Sequence, residues 1–388
     1  MLEPDIGVYV HVPFCERICP YCDFAVIRAR PLSPEDESAY LDTLCAELHA
    51  RAGAFEGRRL ASIYLGGGTP SLLQARSVER ILGAIRGAFP GDPEETTLEV
   101  NPSTLETARL PDFRVAGIDR ISLGAQSFDD TTLRRLGRGH RASEVHRSFE
   151  ACRAAGFANV SLDLIVAAPG QTLTEVEADL VAALAYAPEH LSVYELSLEP
   201  GTPFGKAAAR GRLQRPGEEE AVAMLECVEA RLCAAGYERY EISSYARPGH
   251  RSVHNRRYWQ RLPVLGLGMG AVSSDPPSPR HPFGLRRSNP RELAPYSEGV
   301  AAGDGAGAQV EVLGAREARA EAVFLALRTG DGLDVELFAG EFGAPPRHFF
   351  ARELDRLTAD GLLEEAPDAL RLTPRGRMLS DSVFASFL

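Results

Sequence analysis

IGVYVHVPFCERICPYCDF, residues Ile6 to Phe24, joins an alternating apolar run to a short loop holding Cys15, Cys19 and Cys22. The run reads as a strand because its apolar residues recur with the period of a pleated backbone. Three thiolates so close together cannot all pair as disulfides, since one bridge would orphan the third sulfur. They can converge on one inorganic centre. Three cysteines hold three corners of a cubane iron–sulfur cluster and leave the fourth iron open. On spacing alone a zinc site of these three cysteines plus His11 stays open beside it.

Working outward, the same rhythm of strand, loop and helix recurs along the chain. A helix is expected from about Ser38 to Arg51, with apolar residues at helical spacing. LASIYLGGGTPSLL then reads as a buried strand entering a glycine turn, with a helix opening near Ser71. TTLEV, DRISLGAQ, NVSLDLIVA and HLSVYELSLE follow as further strands, the intervening segments carrying helical periodicity. About six such units imply parallel strands joined by right-handed crossovers. The expected fold is α/β, an incomplete barrel of the TIM kind. Ser273 to Pro290 reads as a loop or extended arm, and Ala301 to Ala308 as a flexible boundary. Two helices and a hairpin after it suggest a small winged-helix-like α+β domain. The chain thus divides into a core barrel with the cysteine loop (1–235), a capping and linker segment containing HNRRYW (236–300) and the C-terminal domain (309–388).

Composition narrows the function. The chain has 388 residues, 44% of them hydrophobic, enough for a sizeable core and against global disorder. A net charge of −12 argues against broad binding to nucleic acid or anionic membrane. There is no apolar run of transmembrane length, and the N-terminus lacks the basic region and cleavage site of an export signal. With seven cysteines, and Cys45, Cys152, Cys227 and Cys233 at no ligand spacing, those four read as buried small hydrophobes in a reducing cytoplasm.

Each barrel strand ends in chemistry. Gly66 to Gly68 and Thr69 form a turn whose backbone a ligand could approach, its N–H and C=O groups suited to a carboxylate or an amine. Glu99, Gln126, Arg138 and Asp163 are polar or charged residues on or just after apolar strands. A buried charge there is costly unless it is paired or meets a ligand. Arg138 and Gln126 suit a carboxylate, Glu99 or Asp163 a ribose diol, and Tyr21 a purine face. S-adenosylmethionine has all these parts.

CERICPYCDF followed by GGGTP resembles the radical S-adenosylmethionine superfamily. YVHVPFC, YLGGGTPSLL, LEVNPS, SLGAQSFDD, LGRGH, PGQT, YEISSYA and HNRRYW resemble its coproporphyrinogen dehydrogenase-like group, from about Tyr9 to Trp259. The resemblance implies a 4Fe–4S cluster on Cys15, Cys19 and Cys22. It also implies S-adenosylmethionine contacts at Tyr9, Tyr21, Gly67, Gly68, Thr69, Glu99, Gln126, Arg138 and Asp163. Within the group, the short segment before Tyr9 and the loop ending Cys22-Asp23-Phe24 favour the HemW-type haem chaperones over the oxygen-independent coproporphyrinogen III dehydrogenases. That implies haem as cargo with His254 as candidate ligand, haem-accepting proteins and an electron donor as partners, and no coproporphyrinogen oxidase activity. Two departures stand out: Ala167 where the group usually has glycine, and Val272 where it usually has histidine. A winged-helix nucleic-acid binder with a cluster as sensor is the remote alternative, on Arg352, Arg356, Arg371 and Arg375.

Overall fold

The computed structural model describes residues 5–303 and 307–388. Seven neighbouring parallel strands form its centre, in the order Val264–Leu267, Ile6–Val12, Leu60–Gly67, Glu95–Val100, Arg120–Gln126, Asn159–Val166 and His190–Glu195. Five short strands extend this sheet antiparallel at its two ends, so it curls without closing. The architecture is the incomplete barrel expected.

Helices on the outer face bury their apolar stripes against the sheet. The helix Ala75–Ala88 does so with Val78, Ile81, Leu82 and Ile85, all nearly inaccessible. It opens later than Ser71, because Pro70–Leu72 first makes a single 3-10 turn. The first long helix, Pro34–Arg51, starts earlier than Ser38: Ser33 accepts from the Asp36 N–H as its N-cap, and Pro34 supplies a favourable first residue. Of the four scattered cysteines, Cys152 is fully buried but Cys233 is exposed, so the buried reading fails for the latter.

Residues 236–300 are more than a cap and linker. They supply five strands, one of which, Val264–Leu267, pairs in parallel with Ile6–Val12 at the heart of the sheet. Its glycine-rich continuation is steric in origin: a Cβ on Gly268, at φ +98°, would sit 2.5 Å from the His11 carbonyl oxygen. The expected arm at 273–290 is a hairpin, with Val272–Asp275 pairing antiparallel to Leu285–Ser288. The boundary expected at 301–308 falls partly on 304–306, outside the described residues. Gln309–Val312, assigned from sequence to the last domain, forms the edge strand of the large sheet instead, its Val312 opposite Leu285.

Beyond it, helices Ala315–Leu327, Val335–Phe342 and Pro346–Ala359 and a three-stranded antiparallel sheet enclose a separate core around Val323, Leu327, Leu354 and Leu370. Salt bridges fasten this unit to the barrel: Arg251 to Asp331 at 3.0 Å, and Arg261 to Glu341 at 2.8 Å. The Arg328 guanidinium lies 4.4 Å over the Trp259 ring. Three of the four arginines on which a nucleic-acid surface would depend are spent internally: Arg356 donates to Ser386, Arg371 to the Asp331 carbonyl and Arg375 to the Asp360 carbonyl.

Candidate functional site

A cavity of about 850 Å³ opens at the C-terminal ends of the parallel strands and runs down the barrel interior. Cys15, Cys19 and Cys22 line it, together with Tyr9, Tyr21, Gly67, Gly68, Thr69, Glu99, Gln126, Arg138 and Asp163. Strand geometry explains the convergence: Gly67 and Gln126 end their strands, Glu99 nearly so, and side chains two residues apart face inward together.

Two donors reach the cysteine sulfurs. The Thr69 hydroxyl lies 3.6 Å from Cys15 Sγ, and Arg138 Nη1 lies 3.5 Å from Cys19 Sγ. Burial pushes the Cys15 thiol up to about 11, so a thiolate there needs cationic charge to hold it. His11 is not available as a fourth metal ligand. Its Nε2 donates to the Ala25 carbonyl at 2.8 Å, and its Nδ1 shares a 3.1 Å hydrogen bond with the Tyr9 hydroxyl. The zinc alternative therefore lacks its imidazole. Three thiols on one loop, bordered by an arginine, fit an iron–sulfur cluster with one open iron.

The glycine turn is narrower in use than its sequence suggests. Gly67 N–H donates to Glu99 Oε2 at 3.1 Å, Gly68 N–H to the Val12 carbonyl and Thr69 N–H to the Phe14 carbonyl, both at 2.8 Å. None of the three is left for a carboxylate. A Cβ on Gly67, at φ +105°, would stand 2.4 Å from the His11 ring, so glycine is required there. Arg138 Nη2 donates to Asn101 at 2.6 Å and to the Gly124 carbonyl at 3.1 Å, while its buried Nε has no partner.

Two carboxylates lie deeper. Glu99 accepts from the Tyr64 hydroxyl at 2.8 Å, and burial raises its carboxyl to about 7, with Asp163 adding to the rise. Asp163 accepts from Ser122 at 2.8 Å and is likewise raised by burial. Such groups suit hydrogen bonds to a diol or to an ammonium brought by a ligand.

His254 does not line the cavity. It is 1% exposed, its Nδ1 bonded to Ser62 at 2.9 Å and its Nε2 to Tyr258 at 3.2 Å, and burial lowers its pKa to about 3. Both nitrogens are used, so in this structure His254, the candidate haem ligand of the sequence, packs against Ser62 and Tyr258 and offers no free nitrogen to a haem iron. HNRRYW forms the helix Val253–Trp259, which plugs the lower end of the barrel. Its N-terminus is held by Glu95, which accepts from Ser252 Oγ and from the Val253 and His254 N–H groups, each at 3.2 Å, and lies 3.6 Å from the buried Arg120. The motif's contributions to the cavity are Asn255 and Tyr258.

Other lining residues went unread in the sequence: Tyr64, Arg120, Ser122, Ser192 and Tyr194. The signal existed. Counting back in twos from Gln126 reaches Gly124, Ser122 and Arg120, all on the same inner face.

Comparison with known proteins bears on this arrangement. Residues 9–182 match the radical SAM superfamily, and residues 313–379 match the HemN C-terminal domain. A curated protein of Bacillus subtilis, heme chaperone HemW, is 34% identical over 98% of this chain and 99% of its own length. The heme chaperone HemW of Lactococcus lactis is 34% identical over 100% of this chain and 98% of its own. The chain belongs to the HemW family. Its membership of the radical SAM superfamily implies a 4Fe–4S cluster and S-adenosylmethionine, and the donor set just described fits both. Among solved structures, the coproporphyrinogen III oxidase HemN of Escherichia coli is similar with a TM-score of 0.83, covering 100% of this chain and 91% of that one. At 24% identity that likeness shows the fold. Two positions where this sequence departs from the group's usual residues are now placed: Val272 stands 47% exposed at the cavity, and Ala167 adopts a left-handed backbone, φ 57°, which explains a preference for glycine.

Proposed function

We propose that this chain is a haem chaperone, binding haem as cargo and passing it to haem-accepting proteins. The observation that carries the reading is similarity along essentially the whole chain to curated heme chaperones, the C-terminal domain included. Cys15, Cys19 and Cys22 are the proposed ligands of the cluster. Thr69 and Arg138 bias two of the sulfurs towards the thiolate by donating to them. Bound together, a cluster and S-adenosylmethionine supply one-electron reductive chemistry.

The residues proposed around S-adenosylmethionine divide by chemistry. Arg138 and Gln126 receive its carboxylate, and the Gly67–Gly68–Thr69 turn lies against the amino-acid end. Glu99 and Asp163 accept from the ribose hydroxyls, and Tyr21 and Tyr9 border the rings. Tyr21 is held for this by packing near Leu136, Ile165 and Phe204. Among the described residues no helix is long and apolar enough to cross a membrane.

The test is anaerobic reconstitution of the full chain, followed by titration with haem and, separately, incubation with coproporphyrinogen III, S-adenosylmethionine and a reductant. The expected result is stoichiometric haem binding that can be chased into an apo-haemoprotein, with no protoporphyrinogen IX formed. Repeated turnover of coproporphyrinogen III would replace the chaperone reading with the dehydrogenase one.

A further inference from the structure

The cavity mouth carries an unusual surface. Ile18 is 43% exposed, Phe24 67% and Val272 47%, and all three line the cavity that holds the cysteines. They come from distant parts of the chain: two from the cysteine loop, one from the strand Val272–Asp275. The fold brings these segments into tight contact, since a Cβ on Gly270 would lie 2.4 Å from Ala25 Cβ. Apolar side chains left in water cost free energy in proportion to their area, and clustered at the lip of a cavity they mark a binding surface.

Charge borders the patch. Arg17 lines the cavity and makes no hydrogen bond or ion pair among the described residues. Arg291 also lines it, 61% exposed, its only partner among the described residues Asp23, to whose carbonyl and carboxylate it donates. Of the carboxylates at the mouth, Glu195 is held by Arg215 at 2.8 Å and Asp23 by Arg291, while Glu199 is exposed and would repel an anion. A ligand matching this surface is flat and apolar on its face and carries carboxylates along one edge.

We infer that haem docks across this mouth, its ring plane on Phe24, Ile18 and Val272 and its propionates on Arg17 and Arg291. The inference rests on the chaperone reading and adds to it the place where the cargo sits. Haem held there covers the entrance to the cofactor chamber. Its binding owes nothing to His254, which lies sealed at the other end of the barrel.

The experiment uses the reconstituted full-length protein and haem titration followed by absorption, on wild type, Val272→Asp and Arg17→Glu. Val115→Asp, at an 89% exposed position away from the cavity, is the control. Val272 and Arg17 are not among the proposed cluster or S-adenosylmethionine ligands, so iron and sulfide content and the unfolding midpoint report whether each variant is intact. The expected result is that Val272→Asp and Arg17→Glu each weaken haem binding by about tenfold or more. The control stays at wild-type affinity, and the Arg17→Glu effect shrinks as salt is added. Intact variants that bind haem as the wild type does overturn the mouth site while leaving the chaperone reading standing. A wild type that binds no haem removes the chaperone reading itself, and the docking site with it.

Discussion

Replacing Glu99 by glutamine should move stability and cofactor binding in opposite directions. Folding places the Glu99 carboxyl on the inner face of the barrel, where burial raises it from 4.5 to about 7 against the opposing hydrogen bonds from Tyr64 and Gly67. The folded state therefore holds this proton more tightly than the unfolded chain. The stability linked to it is complete below the unfolded value and is lost as pH rises through the folded one. At about 1.4 kcal/mol per unit, the displacement costs at most roughly 3.5 kcal/mol above about pH 8. The carboxylate lines an open cavity and is only half-buried, which reduces the expected cost to roughly 1–2 kcal/mol. Glutamine cannot ionise, and it resembles the protonated acid in presenting both a donor and an acceptor to Tyr64 and Gly67. Urea unfolding of wild type and Glu99→Gln, both without cluster or cofactor, should give matching stabilities near pH 5. The variant should lead by roughly 1–2 kcal/mol near pH 8.5. After reconstitution the same variant should bind S-adenosylmethionine more weakly at the higher pH, because a charged acceptor has been lost. A stability difference that is the same at both pH values would refute the buried-carboxylate argument.

Arg138→Ala should weaken S-adenosylmethionine binding about ten- to a hundred-fold by calorimetry, with iron content retained; unchanged affinity in a folded variant would take Arg138 out of the pocket. Cys15→Ala, Cys19→Ala and Cys22→Ala should each eliminate the brown chromophore and the about four irons and four sulfides of the reconstituted protein; a cluster surviving any one of them would remove that ligand. His254→Ala should cost roughly 2–4 kcal/mol in unfolding, since Ser62 and Tyr258 lose their partner and a void opens, yet leave the haem absorption spectrum as in the wild type. A shifted spectrum would restore His254 as a ligand. Ala167→Gly should raise stability by up to about 1 kcal/mol in the same urea assay, because φ 57° strains alanine and not glycine; a loss would mean that the Ala167 methyl packs for more than the strain costs.

How far the sequence could be read follows from the range over which each feature is encoded. The strand Ile6–Val12 and its cysteine loop are local: alternation fixes the strand, and spacing fixes which sulfurs can share a centre. Glu99, Gln126 and Asp163 were legible because a polar residue on a strand buried on both faces demands a reason. Val264–Leu267 was not, because a four-residue strand becomes a strand by lying beside Ile6–Val12, which lies far away in sequence. The Gln309–Val312 edge has the same cause: all four residues are exposed, so no core-facing pattern announced it. His254 shows the opposite error. A histidine followed by a string of polar residues looks available to a ligand, and only the fold reveals that Glu95 draws the N-terminus of its helix into the barrel floor. That anchor also explains how HNRRYW, polar as it is, buries His254 and Arg257 and half-buries the rest. Glu95 pairs with Arg120, Arg257 donates to the Asp5 and Pro263 carbonyls, and His254 bridges Ser62 and Tyr258. Most of these partners lie on other strands or loops, and His254 is tied within its own helix as well, through Tyr258; the Trp259 Nε1 stays buried without a partner. At the opposite end the thiols, carboxylates and Arg138 line a cavity, with Arg138 also reaching the Cys19 sulfur.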